Sequence, residues 1–124
     1  MFDLATDSTS QQIIRDFYEA GKVVSAVCHG PAAFVNVKLS DDSNLISGQE
    51  VTGFSNSEED SVKLSEFMPF MLETKLGEQG AKYSKAEDWG AKVITSGRDG
   101  RLITGQNPAS AAPLGQALLK ALKV

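Results

Sequence analysis

The chain has 124 residues, of which 41% are hydrophobic, so it can build one packed domain and is too apolar to stay disordered. Its formal net charge of −4 argues against binding to nucleic-acid backbones, and no apolar run approaches the roughly 20 residues that cross a membrane. The single cysteine cannot form an internal disulfide, which favours a reducing compartment, and we expect a cytoplasmic protein with no nucleic-acid or membrane partner.

The first third of the chain predicts a helix followed by a strand. Ser8 and Gln11 fit a capping box, apolar residues then recur at helical spacing, and Gly21 is suited to end the helix. Residues 22–27, KVVSAV, are apolar and β-branched, as in a strand buried on both faces of a parallel sheet. The residues CHGP at 28–31 follow directly and lead into a short apolar helix.

The middle of the chain predicts a small hairpin and two helices. Residues 45–47 (LIS) and 50–54 (EVTGF) flank a turn and are expected to pair with each other. The sequence SEED at 57–60 is typical of a helix start, because the helix macrodipole favours negative charge there. Pro69 is expected to break or restart the helix. The cluster FMPFM at 67–71 is expected to pack in the interior or at a dimer contact.

The last third predicts a short strand, a β-hairpin and a helix. Residues 81–84 suit a short strand. Residues 93–97 (VITSG) and 101–105 (RLITG) suit two antiparallel strands joined through an Asp-Gly turn. The final helix should hold Pro113 in its first turn and direct Leu114 and the apolar residues one turn apart from it to one face.

This order of elements indicates an α/β fold with a mainly parallel sheet and an antiparallel edge. Only residues 22–27 form a strongly buried parallel strand, whereas a doubly wound sheet needs several. We therefore expect residues 1–124 to be the C-terminal portion of a single domain whose N-terminal part is missing from the sequence.

Cys28 and His29 lie at the junction between the predicted strand and the following helix. Adjacent residues point to opposite faces of a strand and lie about 100° apart on a helix, so they can cooperate only at an irregular turn of this kind. Such a turn is the setting of a nucleophile elbow. The helix N-terminus, the backbone amides and a protonated imidazole can each lower a thiol pKa there. The amides of His29 and Gly30 can face a developing oxyanion.

Structural roles compete with these functional ones. A lone cysteine at the end of an apolar strand is usually a small buried hydrophobe, and a neighbouring histidine is as often a satisfied surface or core residue. A structural zinc site typically needs four Cys or His ligands, which one Cys and one His cannot supply, so no metal is expected.

Three segments resemble the ThiJ/PfpI superfamily, the class I glutamine amidotransferase-like group. They are AVCHGPAAF at 26–34, VTGFSNSEED at 51–60 and VITSGRDGRLITGQNPASA at 93–111. The second segment is similar to the branch that contains stress chaperones and glutathione-independent glyoxalases. The resemblance covers nearly the whole chain and implies a flavodoxin-like three-layer sandwich, of which this chain is the C-terminal portion.

The resemblance also implies roles for individual residues. Cys28 corresponds to the nucleophile and His29 to the adjacent general acid/base. The third member of the triad is an acidic residue five positions after Phe54, which gives Glu59, with Glu58 as its competitor, since both suit a helix N-terminus. Two further family features, a glutamate that contacts the thiol and a Gly-rich loop that donates an oxyanion amide, would lie before Met1. If the natural product begins at Met1, we expect little or no activity.

The function implied is that of a glyoxalase III, or D-lactate dehydratase, which converts methylglyoxal, a small 2-oxoaldehyde, to lactate without glutathione and without a cofactor. A stress-chaperone role and a homodimer are further expectations from the family. Two alternatives stay open: a Cys-dependent amidase or peptidase, and a non-enzymatic holdase chaperone or redox-stress sensor.

Overall fold

The computed structural model describes all of residues 1–124, in which helices and short strands alternate. The regular elements are α1 (Ser8–Glu19), β1 (Val24–Val27), β2 (Glu50–Val51), α2 (Asn56–Ser61), α3 (Leu72–Glu78), β3 (Lys82–Tyr83), β4 (Val93–Ser96), β5 (Leu102–Gly105) and α4 (Ala111–Ala121). Short 3₁₀ segments lie at Gly30–Phe34, Ser65–Phe67, Arg98–Gly100 and Pro108–Ser110. None of the helices has the length and apolar character needed to cross a membrane.

Strand β5 is the centre of a three-stranded mixed sheet. It pairs in parallel with β1, where Val27 lies opposite Gly105, and antiparallel with β4, where Ser96 lies opposite Leu102. The predicted β4–β5 hairpin is therefore confirmed. Its connection is longer than a two-residue turn, because a 3₁₀ segment at Arg98–Gly100 separates the strands.

Helical segments cover both faces of β1, as in a three-layer arrangement. A Cβ on Gly30 would lie 3.2 Å from the Cβ of Ala26, so the 3₁₀ segment covers the Ala26 face. A Cβ on Gly105 would lie 3.0 Å from Val27 and 3.2 Å from Leu114, so α4 covers the opposite face. Successive strand residues alternate between faces, which places the sheet between the two layers.

Helical segments lie over both faces of β1, but the strand is only partly buried, so the prediction of a strand fully buried on both faces is wrong. Val24 is buried, whereas Ser25, Ala26 and Val27 are half-buried. The reason is topological, because β1 is the outer strand of its sheet and its far edge pairs with no other strand of residues 1–124.

The structure contradicts two local predictions, because other contacts form in place of the predicted ones. Helix α1 is capped by Asp7, whose carboxylate accepts a hydrogen bond from the Ser10 amide at 2.7 Å, so the Ser8 and Gln11 capping box is wrong. An aspartate placed one residue earlier satisfies the free amide first. Gly21 follows the end of α1 with a φ of +82°, as expected.

The predicted hairpin of residues 45–47 with 50–54 is also wrong. Leu45 and Ile46 are fully buried in a turn and contribute to the core. Val51 pairs instead with Tyr83 of β3, in parallel, which confirms the strand expected at 81–84. Burial of two large side chains outweighed the local turn signal in this segment.

Helix α2 ends at Ser61, before Pro69 is reached, so the predicted break at Pro69 is wrong, whereas the predicted restart agrees with α3, which begins at Leu72. Phe70 packs against the core, whereas Phe67 is 62% exposed and does not fit the expectation of interior packing. In α4, Leu114 is buried and Pro113 occupies the first turn, as expected.

Candidate active site

Cys28 lies at the end of β1 in a backbone conformation that non-glycine residues rarely adopt. Its φ is +65°, in the left-handed region. The Cys28 amide donates to the Gly105 carbonyl at 3.0 Å, and the Cys28 carbonyl accepts from the Phe54 amide at 2.9 Å. These two hydrogen bonds hold the residue between the end of β5 and the segment before α2. The geometry is that of the strand-to-helix elbow that the sequence predicts.

A chain of contacts runs from the thiol to a buried carboxylate. Cys28 Sγ lies 3.5 Å from His29 Nδ1, and His29 Nε2 lies 2.6 Å from Glu59 Oε2. A carboxylate accepts hydrogen bonds, so this contact places a proton on Nε2 and leaves Nδ1 of the neutral ring free to accept the thiol proton. The arrangement suits a nucleophile, a general base and a group that orients the base.

Glu59 is brought to His29 by the start of α2. Ser55 caps this helix in a capping box with Glu58, and both glutamates lie in the first turn. The side chain of Glu59 is only 4% exposed, and its second oxygen, Oε1, has no hydrogen-bond partner. Glu58, the competitor, points elsewhere and does not contact His29. The structure thus brings Cys28, His29 and Glu59 together, while their catalytic roles stay predictions.

The electrostatics of the thiol differ from the sequence-based expectation. Burial raises the pKa of the Cys28 thiol, the backbone amide of His29 lowers it, and the charges of Glu58 and Glu59 raise it further, for a net increase. The net effect is opposite to the lowering of the thiol pKa that the elbow predicts. A neutral thiol needs a base at the moment of attack, and Nδ1 of His29 is the group in place.

Of the two predicted oxyanion donors, the His29 amide acts on the thiol, whereas the role of the Gly30 amide stays a prediction. The His29 amide donates to no backbone carbonyl, so it can interact with a developing charge. Gly30 packs closely on β1, since a Cβ there would approach that of Ala26 to 3.2 Å. No group of three or more His, Cys, Asp or Glu side chains is arranged to hold a metal ion.

Two aromatic residues to which the sequence analysis assigned no role in the site form a stack beside the histidine. The Phe54 ring lies 4.4 Å from the His29 ring, and the Trp89 ring packs edge-on against Phe54 at 5.7 Å. Trp89 is 44% exposed and has a φ of +65°. Phe54 belongs to the conspicuous TGF segment, whereas no local signal connects Trp89 with the elbow.

Comparisons with known proteins show which family the sequence matches. The sequence model of the DJ-1/PfpI family matches residues 2–121. Glyoxalase 3 of Candida albicans is 34% identical over 99% of this chain and 53% of its own length. A glutathione-independent glyoxalase of Saccharomyces cerevisiae is 36% identical over 99% of this chain and 53% of its own length. The chain thus spans about half the length of these curated relatives.

Solved structures share the arrangement of elements. The 24 kDa rapid encystment protein of Francisella tularensis superimposes with a TM-score of 0.92 at 41% identity, over 98% of this chain and 52% of that protein. Glyoxalase III of Candida albicans gives a TM-score of 0.86 at 34% identity, over 97% of this chain and 52% of that protein. The α/β, flavodoxin-like class expected from the sequence is thereby confirmed.

Proposed function

The chain belongs to the DJ-1/PfpI family, and on that premise we propose that it supplies the Cys-His-Glu site of a glutathione-independent glyoxalase acting on methylglyoxal. The observation that carries the proposal is the contact chain from Cys28 Sγ through His29 to Glu59 Oε2. The names of relatives with 34% and 36% identity support the reaction class.

The proposed reaction starts at the thiol of Cys28. Nδ1 of His29 takes the thiol proton while sulfur bonds to the aldehyde carbon, and the proton then passes to the new alkoxide, giving a hemithioacetal. Removal of the proton on that carbon and its return to the neighbouring carbon, through an enediol, converts the hemithioacetal to a lactoyl thioester. Water cleaves the thioester to lactate and the free thiol. The two carbons exchange oxidation level internally, so no external oxidant or reductant is needed.

Glu59 has a supporting role in this scheme. Its carboxylate fixes the Nε2–H tautomer of His29 and stabilises the imidazolium that forms when Nδ1 takes the thiol proton. The amide of His29 is positioned to donate to the alkoxide.

We also propose that residues 1–124 are the C-terminal portion of a single domain. The unpaired edge of β1 supports this, as does an apolar groove of about 500 Å³ between α1 and β1, whose lining includes Ile14, Ala26 and Phe34. Further residues of the same domain that covered this groove and added a strand beside β1 would complete the burial of β1. The second proton carrier of the reaction would then come from outside these residues.

The test separates capture of the aldehyde from turnover. Capture of methylglyoxal by Cys28 uses only groups of this chain, so mass spectrometry should find a reversible adduct in the wild type and none in Cys28→Ala. The rate of capture should fall by about 100-fold or more in His29→Gln, because the general base is lost. Ser8→Ala, an exposed change on α1, serves as the control and should behave as the wild type.

The possible results distinguish the proposed mechanism from its alternatives. Equal capture in the wild type and His29→Gln, or lactate formation that survives Cys28→Ala, would contradict the proposed mechanism. Lactate formed by the 124-residue chain alone would contradict the proposal that a second proton carrier lies outside it. Cleavage of a peptide or amide substrate offered in parallel would favour the amidase alternative. Aggregation suppression that survives Cys28→Ala, with no aldehyde capture, would favour the holdase alternative.

A further inference from the structure

Glu58 is a fully buried carboxylate that the proposed chemistry does not use. Its Oε1 accepts hydrogen bonds from the Ser55 amide at 3.0 Å and from Gln106 Nε2 at 3.1 Å. Its Oε2 accepts from the Trp89 amide at 2.9 Å and from Asn107 Nδ2 at 2.8 Å. Burial alone would raise the pKa of Glu58, but these four hydrogen bonds outweigh it and lower the pKa below its usual value. Glu58 is therefore a carboxylate at neutral pH.

Gln106 and Asn107, which donate to Glu58, also form hydrogen bonds with residues 86–90, a segment that they hold at the end of β5. The side chain of Gln106 accepts from the Ala86 amide at 2.8 Å, and Asn107 Nδ2 also donates to the Gly90 carbonyl at 2.6 Å. Between these two points lies Trp89, in the left-handed conformation that is rare for a bulky residue. Strained residues of this kind persist only where the surroundings hold them. The segment GQN at 105–107 thereby acquires a role that its local sequence does not reveal.

The same network reaches the ring of His29 from two sides. On one side, Glu59 follows Glu58 in the first turn of α2, and because its Oε1 is unpartnered, its position depends on the helix backbone that Glu58 anchors at Ser55. On the other side, Trp89 packs on Phe54, which packs on the His29 ring. No other buried carboxylate connects these two supports.

We propose that Glu58 is a positioning residue for His29, because its carboxylate joins the start of α2 to the 86–90 segment and so fixes Glu59 and the Trp89–Phe54 pair around the imidazole. This inference rests on the proposed function only in that His29 is taken to be the general base. The geometry that it explains exists whatever the substrate is.

The composition of the chain makes the test unusually direct. It contains one Cys, one His and one Trp, all in this site, so each signal belongs to a known residue. Three readouts follow: the ¹⁵N shifts of His29 report its tautomer, acrylamide quenching reports the exposure of Trp89, and iodoacetamide alkylation as a function of pH reports the Cys28 thiol.

Glu58→Gln is the primary variant. An amide offers one acceptor and one donor where two acceptors are needed, so two of the four hydrogen bonds are lost. Quenching of Trp89 should increase, and the single Nε2–H tautomer of His29 should give way to a mixture. Glu58 and Glu59 are the charged groups that raise the pKa of the thiol, and the imidazole of His29 lies 3.5 Å from its sulfur. With the negative charge of Glu58 removed, the pH at half-maximal alkylation should move to a lower value. Glu66→Gln, an exposed change without hydrogen bonds, is the matched control.

A second variant retains the charge and guards against a folding defect. Gln106→Met removes one donor to Glu58 and the link to Ala86 while the carboxylate stays. It should increase Trp89 quenching and disturb the His29 tautomer, without the alkylation shift to lower pH. Aldehyde capture should fall in both variants, by up to about 100-fold if the imidazole moves by about 1 Å.

The proposal is overturned if Glu58→Gln and Gln106→Met lower the thermal stability but leave the His29 tautomer and Trp89 quenching as in Glu66→Gln. Glu58 would then be a structural residue only. Failure of the proposed function gives a different result. In that case the wild type captures no methylglyoxal, while the His29 and Trp89 signals still respond to Glu58→Gln as expected.

Discussion

The left-handed conformation of Cys28 should cost stability, and this cost can be measured by comparing Cys28→Gly with Cys28→Ala. Both variants lack the sulfur, so they differ only in the Cβ, which strains a backbone with a φ of +65°. Relief of this strain gains about 1–2 kcal/mol, and the extra freedom of glycine in the unfolded chain cancels about 0.5–1 kcal/mol. We therefore expect Cys28→Gly to be more stable than Cys28→Ala by about 0.5–1 kcal/mol.

The assay is urea unfolding of the two variants, followed by circular dichroism, with two control pairs. At Lys63, which has a φ of +61° on the surface, the glycine variant should again be more stable than the alanine variant. At Ala26, inside β1, the sign should reverse, and glycine should cost about 0.5–1 kcal/mol. If Cys28→Gly is equal to or less stable than Cys28→Ala while the Lys63 pair behaves as expected, the elbow is not strained and the reasoning fails.

Two further predictions concern stability. Gly97→Ala should lose about 1–3 kcal/mol in urea unfolding, because the new Cβ would lie 2.8 Å from Tyr18 Oη in a backbone with a φ of +75°; Gly115→Ala, with open space around it in α4, should not lose stability. Because the pKa of Glu58 is lowered on folding, its carboxylate should add to the free energy of unfolding above the ordinary pKa of 4.5. This contribution should be lost as the pH falls through the folded-state pKa. A wild-type unfolding free energy no more acid-sensitive than that of Glu58→Gln would refute this.

The parts of the fold that could be predicted from the sequence are those set by local chemistry. The β4–β5 hairpin follows from two β-branched runs around Arg98–Gly100. The elbow is also local, since a strand that ends just before Cys28 and is followed by a proline-containing turn leaves few alternatives. These signals need no knowledge of what the segments pack against.

The parts that could not be predicted depend on partners distant in sequence. Val51 pairs in parallel with Tyr83, and no local turn motif predicts a pairing between residues more than thirty positions apart. Leu45 and Ile46 resemble a strand but are buried in a turn, because core packing decides their place. The half-buried state of β1 likewise depends on its position at the edge of the sheet, which composition cannot reveal.

The candidate site shows the same division. The pairing of His29 with Glu59 came from family resemblance, since the acidic residues of α2 are equally suited to a helix start. The raised pKa of Cys28 could not be foreseen, because it requires knowledge of burial and of two carboxylates thirty residues away. An elbow motif fixes where a thiol lies, but its ionisation depends on the charges that the fold brings around it.

Gly53 and Gly105 let two segments that are distant in sequence approach the backbone of Cys28. A Cβ on Gly53 would lie 3.0 Å from the Leu72 side chain, so glycine at this position eases the close approach of the Phe54 amide to the Cys28 carbonyl. A Cβ on Gly105 would lie 3.0 Å from Val27, so glycine also lets β5 approach the Cys28 amide. The strained conformation of Cys28 is thus held by two close approaches from remote segments. The TGF and TGQ sequences serve the geometry of the thiol without contributing a reacting group.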